Sequence, residues 1–464
     1  MAAKTIAAIS TPPGKGGVAV IRISGDDAFS VAHSVFRPRS AKAKVTFPKR
    51  VPVWGDILHS GEPIDDGLLT LFPAPNSYTG EDMAEISCHG GMLITSKVLE
   101  AVLIAGALPA ERGEFTRRAF LSGKLTLTEA EAIGLLLDAK SEAQIKLSRA
   151  DSRGRLSSEL DSIRSSVTSL LSSLYARIDY PDEDLGDFSD GETVAELDKL
   201  ILRTEALIST YKTGHAVSEG IRTVICGKPN VGKSTLYNLL LLEEAAIVTD
   251  VPGTTRDVLE GTVTLGDVML KISDTAGIRD GEVDTVEAIG ISRSVKRIEN
   301  AELIIALFDS SREPDGEDLR IVQLLRDSGA PCIAVITKTD DGSFAEKIRE
   351  MLLGVHTDAL LEISAKHQGD EARALLTKTA DALFKDERIK IGDDAIISSA
   401  RQNAALIRAR DHLKTAREAF SLGISTDAAS SDIELALGAI AEIDGRAVSE
   451  EVVADIFAKF CVGK

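Results

Sequence analysis

Gly227-Lys228-Pro229-Asn230-Val231-Gly232-Lys233-Ser234 sets two glycines, a lysine and a hydroxyl at the spacing G-x-x-x-x-G-K-S. In such a loop backbone N–H groups curl around a phosphate chain, the lysine reaches the outer phosphates and the serine ligates Mg²⁺. The glycines stand where a Cβ would collide with the ligand or where φ must be positive. An apolar run from Ile221 to Cys226 leads into the loop, and Leu236, Leu239 and Leu240 follow Thr235 at helical spacing. This order of strand, loop and helix brings a helix N-terminus, with its dipole, onto the same phosphates.

The nucleotide base and the reaction are read from residues further along. Thr254-Thr255-Arg256-Asp257 lies in a polar loop, where Thr255 offers Mg²⁺ a second hydroxyl. Val258 to Leu265 and Val268 to Ser273 alternate about Gly266-Asp267 and predict a hairpin ending in Asp274-Thr275-Ala276-Gly277. An aspartate there holds Mg²⁺ through water, and the glycine offers its N–H to a γ-phosphate. Buried strands are predicted over Leu303 to Phe308, Cys332 to Ile336 and Leu360 to Ile363, with Thr337-Lys338-Thr339-Asp340 after the second and Ser364-Ala365-Lys366 after the third. A carboxylate such as Asp340 accepts from both the N1–H and the N2 amine of guanine, a donor pair that adenine lacks, so GTP is favoured over ATP.

These five segments, in this order, resemble the translation-factor-like GTPases. Two departures matter. Thr337 stands where the base-reading motif usually begins with Asn, and a hydroxyl replaces part of an amide's bonding but not its two-ended geometry. Weaker guanine affinity is expected. Ile278 follows Asp-Thr-Ala-Gly where Ras-like proteins carry a water-orienting Gln. Either hydrolysis is slow or another carboxylate or amide does that work.

Length and composition set the frame that must position these groups. The 464 residues suggest about three domains, and 44% hydrophobic content is ample for their cores. No run approaches the roughly 18 apolar residues of a membrane span. Met1-Ala2-Ala3-Lys4-Thr5-Ile6 lacks a secretory apolar region before Thr11-Pro12-Pro13-Gly14, so a cytoplasmic protein is expected. Cys88, Cys226, Cys332 and Cys461 have neither disulfide nor metal spacing and fit a reduced compartment. A formal net charge of −19 argues against broad, salt-driven nucleic-acid binding, which requires many neutralised phosphates. Any RNA contact is local.

Residues 1–118 read as an α+β unit. Val18 to Ile23 is an apolar strand with Arg22 embedded in it, and an arginine in so apolar a run is expected to be paired at an internal site. Glu81, Asp82 and Glu85 lie between the proline turn at Pro73 and the helix start at Gly90-Gly91. Lys15 and its glycines lack phosphate-loop spacing and read as a turn. Cys88 and His89 point to opposite faces of a strand without further ligands at suitable spacing, so they do not read as a metal pair. Arg37 to Arg50 reads as a solvated loop.

The pattern then turns helical. Thr128-x-x-Glu131 matches a capping box, and Leu160, Ile163, Val167, Leu170, Leu171 and Leu174 draw an apolar stripe ending before Tyr180-Pro181. Another helix begins near Ser189. Comparable apolar faces lie only beyond residue 390, at Leu406, Leu413, Ile433, Ile440, Val453 and Phe457. One helical domain, 119–214 with 385–464, is therefore expected, with a nucleotide domain, 215–384, inserted into it. The fold class expected is an α+β N-terminal domain, an all-α central domain and an inserted α/β phosphate-loop (Ras-like) domain. The acidic group Asp182, Glu183, Asp184, Asp187 and Asp190 reads as a solvated loop. Cys461, four residues from the end, mimics a prenylation box, but Lys464 is an unusual final residue.

Thr11-Pro12-Pro13-Gly14-Lys15-Gly16-Gly17-Val18 with Arg22-Ile23-Ser24-Gly25, Asn76-Ser77-Tyr78-Thr79-Gly80-Glu81-Asp82, Gly113-Glu114-Phe115 and Phe460-Cys461-Val462-Gly463-Lys464 together resemble the MnmE (TrmE) family of tRNA modification GTPases along the whole chain. The resemblance implies a K⁺-dependent GTPase and a homodimer in which hydrolysis is coupled to dimerisation of the nucleotide domains. It implies an FAD-dependent partner of the GidA (MnmG) type, joined in a heterotetramer. Together they install an aminomethyl or carboxymethylaminomethyl group on carbon 5 of the wobble uridine of certain tRNAs. A 5-formyl- or methylene-tetrahydrofolate supplies the one-carbon unit.

By matching motif, the GTP contacts implied are Asn230, Val231, Gly232, Lys233, Ser234 and Thr235, then Thr249, Asp250, Val251, Pro252, Gly253, Thr254 and Thr255. Asp274, Thr275, Ala276 and Gly277 follow, and then Thr337, Lys338 and Asp340 with Ser364, Ala365 and Lys366. Mg²⁺ falls on Ser234 and Thr255, and K⁺ on Asn230, Thr249, Val251 and Thr254, where its charge replaces an arginine finger. Glu287, in Val286-Glu287-Ala288-Ile289-Gly290-Ile291, takes the water-orienting role that Ile278 cannot. It forms the implied catalytic set with Lys233 and Thr255. The implied folate contacts are Arg22, Glu85, Lys124 and Lys464, with Cys461 near them.

Two other classes fit parts of the chain. A ribosome-assembly GTPase of the Era type predicts a basic, KH-like appendix, whereas this chain is acidic and its appendix helical. A folate-binding regulator whose GTPase only reports nucleotide state is the other.

Overall fold

The computed structural model describes residues 4–40, 47–180, 190–241, 261–273, 298, 300–364 and 369–464. Its chain forms two compact units, residues 1–137, 151–186 and 426–464 in the first and 138–150 with 187–425 in the second.

The first unit holds a seven-stranded sheet in the order β3-β4-β5-β6-β2-β1-β7. The strands are β1 Ile6–Ile9, β2 Ala19–Ser24, β3 Phe36–Pro38, β4 Val53–His59, β5 Glu62–Phe72, β6 Met83–Cys88 and β7 Leu108–Pro109. Side chains alternate across a strand, so Ile21 and Ile23 are buried on one face of β2 while Arg22 takes the other. Helices Ala28–Ser34 and Met92–Ile104 cover the apolar face, joining Ile21, Ile23, Ile57, Leu69 and Ile86 to Val31, Val98 and Val102. On the opposite face, the antiparallel register of β2 and β6 sets Arg22 directly against Glu85.

Helix Arg155–Asp179 of the same unit packs along helix Thr426–Asp444, burying the Leu160, Ile163, Val167, Leu170 and Leu174 stripe. One expectation is corrected here. The capping box of helix Leu127–Leu137 is not Thr128 with Glu131 but Thr126 with Glu129: the Thr126 N–H donates to Glu129 Oε2 at 2.8 Å and the Glu129 N–H to Thr126 Oγ1 at 3.2 Å. Thr128 is buried, and its hydroxyl donates to the Ile443 carbonyl. Tertiary packing chose between two overlapping candidates.

The second unit is built on a six-stranded sheet, β8 Ile221–Cys226, β9 Gly261–Leu265, β10 Val268–Ser273, β11 Leu303–Asp309, β12 Cys332–Thr337 and β13 Ala359–Ile363, in the order β13-β12-β11-β8-β10-β9. Every pairing is parallel except the β9–β10 hairpin, which turns at Gly266 with φ +61°. Parallel strands covered on both faces read as continuous apolar runs, and β11 is buried throughout. Its Ile305 and Leu307 meet Leu236, Leu240 and Leu376 on one side, while Ile304 and Phe308 meet Val322 and Ile348 on the other. In this unit helix Asp190–Ser218 runs against helix Ala400–Ser421. The chain thus combines an α+β N-terminal part, paired long helices and an α/β sheet of phosphate-loop type. Ligands of open parallel sheets bind beyond the carboxyl ends of the strands, where β8, β11, β12 and β13 deliver Gly227, Asp309, Lys338 and Ser364.

Candidate functional site

The loop after β8 takes the form its spacing predicts. Gly227 has φ +148° and Gly232 φ +106°, and a Cβ on Gly227 would stand 2.7 Å from the Leu307 carbonyl. Asn230 holds a left-handed φ of 62°. Lys233 Nζ donates to the carbonyls of Gly227 and Lys228, both at 2.8 Å, which keeps the ammonium over the loop. Burial holds its pKa below the ordinary lysine value. Ser234 and Thr235 are exposed in the first turn of helix Lys233–Leu241, so a hydroxyl is open to a cation beside the phosphate-binding N–H groups.

Three anchors hold this loop, and two of them were not legible as functional residues. Lys228 Nζ, buried, donates to Asp315 Oδ2 at 2.8 Å and Asp318 Oδ2 at 2.7 Å. Burial opposes its charge, but the two carboxylates outweigh it and raise the pKa. Asp315 and Asp318 also form the capping box of helix Gly316–Ser328. Arg312 Nη2 donates to the Pro229 carbonyl at 3.1 Å, and Thr337 Oγ1 to the Val231 carbonyl at 2.8 Å. Nothing in the sequence reading singled out Lys228 or Arg312; Asp309, a charge directly after the apolar run Leu303 to Phe308, is a signal that could have pointed to this end of the sheet.

Thr337 is buried at the end of β12, and its hydroxyl lies within reach of both the Val231 and Phe308 carbonyls. Lys338 follows with a left-handed φ of 58°, and Asp340 Oδ1 accepts from Ser364 Oγ at 2.7 Å. The base-reading candidates Thr337, Lys338, Asp340 and Ser364 therefore lie with Asn230 to Thr235 at the carboxyl ends of the strands. Thr249, Asp250, Val251, Pro252, Gly253, Thr254, Thr255, Asp274, Thr275, Ala276, Gly277, Ile278, Glu287, Ala365 and Lys366 lie outside the described residues.

In the first unit, Arg22 donates to Glu85 Oε1 from Nε at 3.0 Å and from Nη2 at 2.9 Å. Its guanidinium lies 5.3 Å from the Tyr78 ring centre and 5.6 Å from that of Phe115. The C-terminal tail comes to the same place. Ser10 Oγ donates to the Gly463 carbonyl at 3.0 Å and the Phe115 N–H to the Lys464 carbonyl at 3.2 Å. Gly463 has φ +94°, and a Cβ there would stand 2.3 Å from the Ile9 carbonyl. Burial and the charge of Arg22 lower the pKa of the Lys464 ammonium, against the opposing pull of Glu85 and Cys461. Arg22, Glu85 and Lys464 are thus neighbours. Lys124 is directed to the Pro75 carbonyl, 3.0 Å away, on the loop that also carries Tyr78.

Cys88 is buried at the end of β6, while the exposed His89 that follows it donates from Nδ1 to Asp65 Oδ1 at 2.7 Å. Asp65, Asp66 and His89 do bring ligand atoms within 4.8 Å of one another, which the spacing in sequence did not suggest. Among the described residues no helix is long and apolar enough to cross a membrane.

Fold and loop geometry together define a phosphate-loop nucleotide-binding protein with an added α+β domain and helical pairs. The family described as "GTP-binding protein TrmE N-terminus" matches residues 5–124, and that described as "MnmE helical domain" matches residues 127–461. The tRNA modification GTPase MnmE of Thermotoga maritima is 39% identical over 466 residues, 99% of this chain and 100% of the relative. That of Clostridioides difficile is 37% identical over 460 residues, 99% of each. The chain belongs to the MnmE family of tRNA modification GTPases. Among solved structures, the apo form of translation elongation factor SelB from Methanococcus maripaludis is 23% identical and covers 37% of this chain and 36% of its own, at a TM-score of 0.27.

Proposed function

We propose that this chain is a K⁺-dependent GTPase that acts with an FAD-dependent GidA/MnmG-type partner on the wobble uridine of certain tRNAs. The product carries an aminomethyl or carboxymethylaminomethyl group on carbon 5. Residues 1–118 form the folate-binding domain, 119–214 with 385–464 the helical domain and 215–384 the nucleotide domain, and the chain works as a homodimer whose nucleotide domains close on each other. The observation that carries this reading is the convergence of Lys464 on the Arg22–Glu85 pair, because a GTP-driven switch alone has no use for it. The Arg22 guanidinium, 5.3 Å from the Tyr78 ring centre, with the Glu85 carboxylate and the Lys464 ammonium offers charged hydrogen-bonding groups that suit a heteroaromatic ligand with an acidic tail, as a 5-formyl- or methylene-tetrahydrofolate is.

At the nucleotide, Lys233 binds the outer phosphates and Asp340 pairs with the guanine edge. Glu287 orients the attacking water. Mg²⁺ on Ser234 and Thr255, and K⁺ on Asn230, Thr249, Val251 and Thr254, would supply positive charge against the phosphate oxygens. The exposed Ser234 hydroxyl at a helix start fits the first of these.

GTP turnover measured in KCl and in NaCl tests the cation. Faster turnover in KCl is expected, and equal rates would overturn the K⁺ assignment. Glu287→Ala is expected to abolish turnover with nucleotide binding retained; turnover at the parent rate removes its role. Nucleoside mass spectrometry of tRNA from a deletion strain is expected to show the wobble modification missing, and an unaltered nucleoside profile rejects the tRNA reading.

A further inference from the structure

Asp309 ends the buried strand β11 with a side chain only 2% exposed, and donors from three residues converge on it. Oδ1 accepts from the Ser311 N–H at 3.0 Å and from Ser311 Oγ at 2.6 Å. Oδ2 accepts from Arg312 Nε at 3.1 Å and from Lys338 Nζ at 2.6 Å. Arg312 reaches on to the Pro229 carbonyl of the phosphate loop, and Lys338 opens the base-reading turn. A single carboxylate oxygen therefore carries one cation committed to the phosphate side and one committed to the base side. Two cations at that separation repel unless an ionised carboxylate stands between them, so the position of each depends on the other through Asp309. Burial alone would raise this carboxyl's pKa, but the bonds from Lys338 and Ser311 outweigh it and keep the pKa below the ordinary aspartate value.

The demand on Lys338 is increased by Thr337. Its one hydroxyl proton is directed at the Val231 and Phe308 carbonyls, which leaves no donor for a base. The exposed methylene stem of Lys338 has its direction set by the ammonium's anchor on Asp309.

We propose that Asp309 is a positioning residue that couples the base-reading loop to the phosphate loop, so that the guanine and phosphate ends of the nucleotide are bound as one unit. This rests on the reading of these loops as a GTP site. The test is a double-mutant cycle on the full chain, with GDP affinity measured calorimetrically for the parent, Arg312→Ala, Lys338→Ala and the double variant, and again with Asp309→Asn in each. In the parent background each single change is expected to weaken GDP binding about tenfold, and the double change about twofold further than either alone, because both break one linked device. With Asp309→Asn the two changes are expected to weaken binding less than about twofold each.

Losses that multiply in the parent background overturn the coupling, as does an Asp309→Asn protein that binds GDP like the parent. Should Asp309→Asn not fold, the parent cycle alone decides. A folded parent that binds no GDP at all overturns the nucleotide reading, an outcome distinct from multiplying losses. A purely structural role for Asp309 would lower the melting temperature of the variants and leave their binding losses independent.

Discussion

The Thr337 hydroxyl donates to the Val231 carbonyl at 2.8 Å, so the residue that stands in place of a base-reading amide ties the base loop to the phosphate loop. The contact is buried. Thr337→Val keeps the shape and removes the proton, leaving the Val231 carbonyl without this partner. A buried group stripped of its partner costs about 1–3 kcal/mol. GDP affinity is expected to fall by roughly tenfold, read by calorimetric titration; an unchanged affinity would show that the loop holds its form without this anchor.

Gly227→Ala tests the loop backbone itself. At φ +148° an L side chain is strained, and its Cβ would meet the Leu307 carbonyl at 2.7 Å. The substitution is expected to cost roughly 1–3 kcal/mol of stability and to remove measurable GTP turnover. Parent-like turnover in the purified variant contradicts the geometry.

Gly463→Ala and Lys464→Met separate the tail from the nucleotide site. The first forces the tail off the Ile9 carbonyl, since no side chain fits at 2.3 Å, and the second leaves the fold but takes the ammonium from beside Arg22 and Glu85. Binding of 5-formyltetrahydrofolate, followed by equilibrium dialysis, is expected to weaken about tenfold or more in both. GTP turnover is expected to persist. Undiminished folate binding in Lys464→Met removes that residue from the site.

Thiol reactivity should follow burial. Burial first, aided by Asp65, pushes Cys88 up to about 11, and it pushes Cys226 and Cys332 up to about 12, so all three remain protonated at pH 8. Only the thiolate attacks an alkylating reagent. Cys461 is exposed. Intact-mass analysis after iodoacetamide treatment of the native protein is expected to show one adduct, at Cys461. Adducts on the buried Cys88 and Cys332 or the half-buried Cys226 without unfolding would contradict the raised pKa values.

Asp151 should make stability depend on pH. It is buried, its Oδ1 has no hydrogen-bond partner among the described residues, and burial followed by the charge of Glu131 raises its pKa to about 7. The native state therefore binds a proton that the unfolded chain, near the ordinary aspartate value of about 3.9, has released. Its protonated form is at no disadvantage below the unfolded pKa, and the folded state loses stability as pH rises from about 4 to 7. Complete expression of the shift amounts to roughly 4 kcal/mol. Asp151→Asn is expected to flatten this part of a denaturation series between pH 5 and 8 and to be more stable than the parent at pH 8. Parallel pH profiles would show that Asp151 does not carry the effect.

The phosphate loop was legible because its chemistry is local. Eight consecutive residues running from the end of one strand into the first turn of one helix hold the glycines, the lysine and the serine, and no distant residue is needed to set their order. Strands β11 and β12 were legible for a related reason, since burial on both faces writes them as nearly unbroken apolar runs, while the β9–β10 hairpin was legible from its alternation about Gly266-Asp267. Arg22 was recognisable as a charge that needed a partner, and resemblance grouped it with Glu85 in one site, but residue spacing alone did not set the two face to face. That choice belongs to the register of β2 against β6, where a shift of one residue would turn Arg22 to the apolar side. The anchoring of Thr337, the convergence on Asp309, the direction of Lys124 and the docking of Lys464 depend likewise on groups far apart in the chain. Local pattern specifies each element and its buried face, but pairing between elements decides which polar groups meet, and only the folded structure holds that information.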